Sequence, residues 1–260
     1  MRYFLWLALP LFLWGGGCRT LPPAPPPAAV TSPEVILTRL ESRQQQIRAF
    51  QAKGRITFLS PQQNYSGTTR LAGQLPASLK ADVLDILGRT ILSLATDGAT
   101  VAVLSPSENR IFRGPATPKN LAAFIPPAVS LPQALRLLVG ALPLSQGPPD
   151  HFEYQAASNR YLLEWRPGGV LLERLWVEAP GWYPVREEWF GGAPEPRFTA
   201  DLENFGALTP DLPGKITLKT AAPNMELRLG YRDLSLNPAL TPAQLTVEPP
   251  PGVTEVPLGK

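Results

Sequence analysis

The sequence predicts a mainly β fold, a strongly curved antiparallel sheet or barrel that a few helices cover. Apolar and polar residues alternate with a period of two along most of the chain, as in strands with one buried and one solvated face. Helical patterns occur only near the N-terminal end and in one central interruption. Hydrophobic residues are 44% of the 260 residues and charged residues 17%, a balance that favours a sizeable core over disorder. We expect residues 33–260 to form a single domain.

The first predicted element is an amphipathic helix over residues 33–50. Ser32 and Pro33 form a helix-start signal, and apolar residues such as Ile36 and Leu40 recur at helical spacing. Alternating strands are predicted after this helix at 52–60, 64–74, 78–86, 90–97, 99–105, 109–113, 151–156, 159–166, 169–178, 183–190, 196–205, 214–221 and 224–234.

Two short helices interrupt the strands in the middle of the chain. The first begins at Thr117 and runs to Phe124, and the second begins at Ser130 and carries Leu135 and Leu138 on one face. Because the helices are segregated from many antiparallel strands, they are expected to cover one side of the sheet.

Residues 1–17 have the pattern of a secretory signal peptide. Arg2 precedes an apolar stretch, residues 3–14, and small glycine residues follow it. As a helix, that stretch would span about 18 Å, which is short of the ~30 Å hydrocarbon core of a bilayer. The single cysteine, Cys18, stands at the expected cleavage point.

The position of Cys18 resembles a bacterial lipoprotein signal, in which the cysteine receives a diacylglyceryl group and becomes the first residue of the mature chain. Gly15 stands where such signals usually have leucine, so ordinary cleavage that leaves a free thiol is the alternative. Arg19 replaces the aspartate that retains lipoproteins in the inner membrane, so the resemblance implies a lipid anchor on the periplasmic face of the outer membrane. Residues 18–32 are rich in proline and predict an extended tether.

Several chemistries are not expected from this composition. The net charge is +3 without a long basic run, which argues against nucleic-acid binding. One histidine and one cysteine cannot build a Cys/His zinc site or a disulfide within one chain. His151 lies beside turn-forming residues and is expected in a surface loop. We therefore expect no catalytic residues, metal or cofactor, and interpret Arg186, Glu187 and Glu188 as a solvated strand edge.

Several segments, taken in chain order, resemble the LolA/LolB family of lipoprotein-localisation proteins. Residues 83–94 (VLDILGRTILSL) resemble the strand, Leu-Gly turn and strand of LolB, the outer-membrane lipoprotein receptor of the family. The turns at 97–98 and 113–114, the helix from Thr117 and the helix end at 138–143 follow in the family's order. Residues 240–253 (LTPAQLTVEPPPGV) resemble the C-terminal segment of LolA, the soluble periplasmic carrier.

This resemblance implies an unclosed half barrel with helices as a lid, holding the acyl chains of lipoproteins in transit. It also implies a soluble LolA-like carrier that delivers cargo, and insertion of that cargo into the outer membrane. The chain combines a LolB-like anchor and loop with a LolA-like tail, which leaves its step in the pathway open. Its expected partners are acylated lipoproteins or other lipid cargo, and it is expected to be a monomer.

Leu87 and Gly88 lie at a predicted hairpin tip, where a large apolar side chain is unfavourable unless it meets a membrane or an acyl chain. In LolB-like proteins the matching leucine protrudes and is needed for membrane transfer, so the resemblance gives that role to Leu87. Folding of Leu87 back into the core is the alternative. The candidates for acyl contact inside the barrel are Ile56, Phe58, Leu71, Leu84, Ile86, Leu92, Leu94, Val101, Val103, Leu135 and Leu138.

Three functional hypotheses follow from these features. The first is a non-enzymatic protein that binds acyl chains in a hydrophobic half barrel and takes part in lipoprotein transfer to the outer membrane. The second is a structural or scaffold envelope lipoprotein, with a filled barrel, that binds another protein through its sheet. The third is a hydrolase that uses His151 or the acidic pair Glu187/Glu188.

Overall fold

A computed structural model describes residues 32–61, 64–125, 129–179, 181–221 and 224–259. The predicted signal peptide, Cys18 and all but the last residue of the tether lie outside the described residues. The predicted fold class is confirmed: the chain forms one large, curved and unclosed antiparallel sheet with few helices. Its strands, β1 to β14 in chain order, are Ala49–Leu59, Asn64–Gln74, Ser78–Leu84, Thr90–Thr96, Thr100–Ser105, Arg110–Pro115, His151–Gln155, Arg160–Trp165, Glu173–Glu178, Tyr183–Trp189, Phe198–Glu203, Lys215–Thr220, Met225–Leu236 and Thr254–Pro257.

The order of the strands explains why the sheet curves without closing. It runs β14-β6-β5-β4-β3-β2-β1-β13-β12-β11-β10-β9-β8-β7, so the chain's first strand pairs with its next-to-last. All neighbours are antiparallel except β14, which is parallel to β6. β7 and β14 are the two edges, and no ladder between them closes the barrel in the part of the chain that the structure describes.

The long N-terminal helix, α1 (Pro33–Gln45), ends earlier than the predicted residue 50. Phe50 belongs instead to β1, where it is completely buried. A Cβ atom on Gly73 of the neighbouring strand would lie 2.2 Å from the Phe50 ring, so the glycine makes room for it. Tertiary packing therefore overrides the helical spacing of the apolar residues. The Ser32 side chain makes no capping bond to the helix.

The two short helices lie where the sequence predicts them but are shorter. α2 is Pro118–Leu121, and the Thr117 hydroxyl accepts from the Asn120 N–H at 3.2 Å. α3 is Leu131–Leu137, and Ser130 and Gln133 cap it reciprocally. Within the described ranges, no helix is both long and apolar enough to cross a membrane.

The C-terminal residues contain an element that the alternation does not predict. β14 extends one edge of the sheet, and Val247 and Val253 pack with Ala95, Ala102, Leu104 and Ile111 in a small cluster of their own. β9 begins at Glu173 and not at residue 169, because Pro167–Gly169 forms a 3₁₀ turn with positive φ at both glycines.

Two larger hydrophobic clusters divide the sheet. One lies on β1–β5, β12 and β13 beneath α2 and α3, and we call this region the cavity half. The other lies on β7–β11 beneath α1 and the segment that follows α3, and we call it the filled half. α3 contacts both, since Leu135 belongs to the first cluster and Leu137 to the second.

Candidate functional site

The cavity half contains a partly open apolar cavity of about 150 Å³ between the sheet and residues 121–125 and 129–138, which we call the cover. Its walls come from β1–β4 and β11–β13 on one side and from α2, α3 and the residues near them on the other. The lining residues are Ile56, Phe58, Tyr65, Leu71, Leu79, Ala81, Val83, Leu92, Leu94, Thr96, Leu121, Phe124, Ile125, Val129, Leu131, Ala134, Leu137, Leu138, Phe198, Leu218, Thr220, Met225 and Leu227.

The cavity wall is almost entirely hydrocarbon. No charged side chain occurs among its described lining residues, and its polar groups are the hydroxyls of Tyr65, Thr96 and Thr220. The Thr96 hydroxyl already donates to the Thr100 carbonyl at 2.7 Å. Because an enclosed apolar space of this size favours apolar ligands over water, the cavity suits a hydrocarbon chain or ring.

Tyr231 links the cover to the sheet by a hydrogen bond. It lies on β13, is buried, and its hydroxyl donates to the backbone carbonyl of Leu138 at the end of α3. Burial raises the pKa of Tyr231, which keeps the hydroxyl a neutral donor. The cover is thus held over the cavity by apolar packing and by this hydrogen bond.

Six of the predicted acyl-contact residues lie in the cavity wall, and five lie elsewhere. Ile56, Phe58, Leu71, Leu92, Leu94 and Leu138 are lining residues. Val101, Val103 and Leu135 are buried in the same cluster but outside the wall. Leu84 is buried but lies outside the wall, because successive residues of a strand face opposite sides and the cavity is lined by Leu79, Ala81 and Val83. Ile86 is fully exposed.

Other wall residues were absent from the sequence-based candidates. Leu218 and Leu227 pair across β12 and β13, and the clean alternation of those strands contains the signal that could have found them. Phe124, Ile125 and Val129 lie between or beside the short helices, where no periodic pattern marks an inward-facing side chain.

The hairpin between β3 and β4 carries the most exposed large apolar side chains of the described structure. Ile86 is 101% exposed and Leu87 71% exposed. Gly88 has a φ of 79°, and no atom lies within 4 Å of where its Cβ would be, so Gly88 stands at the tip as predicted. The alternative in which Leu87 folds into the core does not occur.

Hydrogen bonds hold this tip in one shape. The Asp85 carboxylate accepts from the backbone N–H groups of Leu87 and Arg89 at 2.8 and 2.9 Å, and the Arg89 side chain bonds it at 2.7 Å. These bonds, the one from the Arg89 N–H first, lower the pKa of Asp85 and keep it ionised. Ile86 and Leu87 are therefore presented to solvent by an ordered turn.

The residues considered for other chemistry lie apart from the cavity. His151 is half-exposed on the edge strand β7, with Nε2 3.7 Å from a Glu153 carboxylate oxygen. No group of three or more potential metal ligands occurs among the residues that the structure describes. Trp165 is buried in the core of the filled half, and Trp182 and Trp189 pack beside it, whereas the half-buried Trp176 lies under Arg186.

The interpretation of residues 186–188 as a solvated edge is wrong. Glu187 is completely buried, and Glu188 is largely buried and paired with Arg186 at 2.7 Å. These residues lie in β10, an interior strand, so that alternate side chains face the core.

No family profile and no curated protein matches the chain. Among solved structures, it is similar to an outer membrane lipoprotein-sorting protein domain from Vibrio parahaemolyticus, with 10% identity, a TM-score of 0.51, and 81% of this chain and 94% of that chain covered. It is also similar to a DUF1329 family protein from Desulfovibrio piger, with 9% identity, a TM-score of 0.50, and 82% and 95% covered. A LolA superfamily protein from Nitrosomonas europaea aligns with 16% identity, a TM-score of 0.49, and 83% and 98% covered.

The first two similarities establish the fold of the chain. It is a mainly β fold with one large, curved and unclosed antiparallel sheet that a few helices cover, the architecture that the sequence resemblance implies. At such low identity the similarity defines a class of architecture, and what this protein does has to be argued from its own residues.

Proposed function

We propose that this protein is a non-enzymatic, outer-membrane-anchored periplasmic lipoprotein that binds acyl chains and takes part in lipoprotein transfer to the outer membrane. The observation that carries the proposal is the apolar cavity between the sheet and the cover, whose described lining has no charged side chain. A hydrocarbon chain that moves from water into such a site gains ~0.8 kcal/mol per buried CH₂ group.

The exposed tip supports the second part of the proposal, which is insertion into a membrane. Ile86 and Leu87 together place two large apolar side chains in water, an unfavourable arrangement unless they contact another apolar phase. Since Asp85 and Arg89 fix the turn, the tip enters the interface without first having to order itself. This is the LolB-like feature of the chain.

The proposed location follows from the predicted lipid anchor at Cys18. A diacylglyceryl group and a further acyl chain would hold the protein on the bilayer, since two or more chains give stable anchoring. The proline-rich tether would let the domain reach a soluble LolA-like carrier on one side and the membrane on the other.

No catalytic step is needed for this activity. An acyl chain passes between two cavities, and then to a bilayer, according to its relative affinity for each. The cavity of about 150 Å³ admits a group the size of benzene, and outward movement of the cover would make room for a whole acyl chain.

The experiment that tests the proposal is a transfer assay. A LolA-like carrier loaded with an acylated lipoprotein is mixed with the lipidated protein and liposomes, and the cargo is followed to each component. We expect the wild type to accept the cargo and insert it, and Leu87→Glu to accept it but insert it at least about tenfold more slowly, because a charge at the tip opposes entry into the membrane. Val170→Glu, which places the same charge at another exposed apolar position, is the matched control and should insert normally.

The scaffold alternative is favoured by one observation, the small volume of the cavity. A barrel that never opens would leave the protein to act through its free edge strands, β7 or β14. If neither the wild type nor the control accepts acyl cargo, the transfer proposal is wrong and a protein partner at these edges becomes the explanation.

A further inference from the structure

The filled half contains two buried carboxyl groups that the proposed transfer function does not use. Glu173 on β9 and Glu187 on β10 are both 0% exposed. In the ladder between these strands, Glu173 lies opposite Trp189 and Glu187 opposite Leu175, so the two glutamates are diagonal neighbours on one face.

Three of the four carboxyl oxygens in this pair have no hydrogen-bond partner. They are both oxygens of Glu187 and Oε1 of Glu173. The remaining oxygen, Oε2 of Glu173, accepts from the backbone N–H of Ser145 at 2.8 Å. A buried carboxylate without a donor or a cation is strongly unfavourable, so this arrangement is incompatible with two negative charges.

No cation faces the pair from the described elements that pack against it. Trp165 of β8 lies opposite Glu173, and Ala200 of β11 lies opposite Glu187. The nearby charged residues of the same strands point to the other face of the sheet. There Arg174 bonds Glu164 at 2.6 Å, and Arg186 bonds Glu188 and Asp201.

The helix packed over this region does not supply a cation either. In α1, Arg43 bonds the backbone carbonyls of Gly181 and Trp182 and pairs with Asp211, and Arg39 lies over the Trp182 ring. Burial therefore raises the pKa of Glu173 to about 6, and burial together with the charge of Glu173 raises the pKa of Glu187 well above the ordinary carboxyl value.

We propose that Glu173 and Glu187 share one proton and act as a pH-sensitive anchor for the segment that follows α3. The shared proton gives the pair a single negative charge, which the Ser145 N–H satisfies. Loss of that proton leaves two adjacent carboxylates in an apolar site, and the repulsion is relieved when segment 142–147 separates from β9 and admits water.

The segment is connected to the cover of the cavity. Leu137, the last residue of α3, and Leu142, which follows the helix, are completely buried in the filled half. The Trp165 indole N–H donates to the Gly147 carbonyl at 3.1 Å, which fixes the far end of the segment. Release of Ser145 therefore loosens the end of α3, so the anchor holds the cover down at acidic pH and frees it as the pH rises. This last consequence rests on the proposed function.

The shared proton is tested on the full-length wild type by infrared spectroscopy. We expect the carbonyl band of a protonated carboxyl at about pH 7, where ordinary carboxyls are ionised. The band should persist in Glu188→Gln, which removes the neighbouring acid on the opposite face, and vanish in Glu187→Gln, which imitates the protonated partner without a titratable group. A wild type without the band would contradict the shared proton.

The anchor is tested by hydrogen exchange of residues 142–147 between about pH 5 and about pH 8, with wild type and variant compared at each pH. At the higher pH, we expect the amide protection factors of this segment to be at least about tenfold lower in the wild type than in Glu187→Gln. Glu188→Gln should behave as the wild type. Equal protection in wild type and Glu187→Gln at every pH would overturn the anchor. Because no cargo is present, this result is independent of the outcome of the transfer assay.

Discussion

The two halves of the sheet have the same alternation of side chains but differ in how their interiors are packed. In the filled half, Leu163, Leu175 and Val177 are all completely buried against α1 and the segment after α3. In the cavity half, side chains of the same type, such as Leu92 and Leu94, border about 150 Å³ of space. An identical pattern of apolar residues therefore gives a solid core where a long helix closes over it, and a cavity where only short helices do.

The first prediction compares the loss of a leucine in each half. Leu175→Ala is expected to lower the free energy of unfolding by about 3 kcal/mol, since it leaves a hole in close-packed surroundings. Leu227→Ala in the cavity wall is expected to lower it by about 1 kcal/mol or less, because part of that side chain already borders empty space. Urea denaturation measures both values, and equal losses would mean that the halves are packed alike.

The second prediction adds volume instead of removing it. Ala200→Phe, at a completely buried position of the filled half, is expected to destabilise the protein by about 2 kcal/mol through overpacking. Ala81→Phe should change stability by less than about 1 kcal/mol, because the ring enters the cavity. Ala81→Phe should also abolish binding of a fluorescent fatty acid. Unimpaired binding by a folded Ala81→Phe variant would place the ligand outside the cavity.

The third prediction concerns the carboxyl pair of the filled half. Because the pKa of Glu173 and that of Glu187 are raised in the folded state, their contribution to stability is complete below the ordinary carboxyl pKa of about 4.5 and declines as the pH rises. From about pH 4.5 to about pH 6, the free energy of unfolding of the wild type should fall by on the order of 2 kcal/mol relative to that of Glu187→Gln. Denaturation curves across this range measure the difference, and parallel curves would exclude a linked proton.

The fourth prediction tests the attachment of the cover. Tyr231→Phe removes the donor to the Leu138 carbonyl and is expected to cost about 1 kcal/mol and to speed entry of the fluorescent fatty acid. Tyr154→Phe on β7, which removes the hydrogen bond from the Tyr154 hydroxyl to Asn159, is the control and should leave the entry rate unchanged. Stopped-flow fluorescence measures the rates; similar rates in all three proteins would mean that the hydroxyl does not restrain the cover.

The sequence predicts the strands because alternation is strong wherever one face of the sheet is solvated. Leu227 and Leu229, for example, alternate with Glu226 and Arg228 along β13. Alternation does not predict β14, because its four residues, Thr254 to Pro257, are mostly exposed and pair only at an edge of the sheet. The end of α1 was misplaced because Phe50 has helical spacing, whereas its pairing with Gly73 of β2 and Leu236 of β13 places it in β1.

The candidate site was harder to predict than the fold. The face of β3 was assigned wrongly, since Leu84 was expected in the cavity whereas the alternate residues Leu79, Ala81 and Val83 line it. The buried position of Glu187 is hidden by its charged neighbours, although its two-residue spacing from Trp189 is that of a shared face. Leu87 was correctly expected at a tip because the Leu-Gly pair interrupts two apolar strands.

The central claim, that the cavity holds an acyl chain, is tested most directly by photo-crosslinking with a photoactivatable palmitoylated peptide. We predict that the labelled residues fall on both walls of the cavity, on β4 around Leu92 and Leu94 and on the cover around Phe124. Labelling should be lost in Ala81→Phe and retained in Leu87→Glu, whose defect lies in insertion. Labelling that is confined to an edge strand, or that persists in Ala81→Phe, would contradict the account.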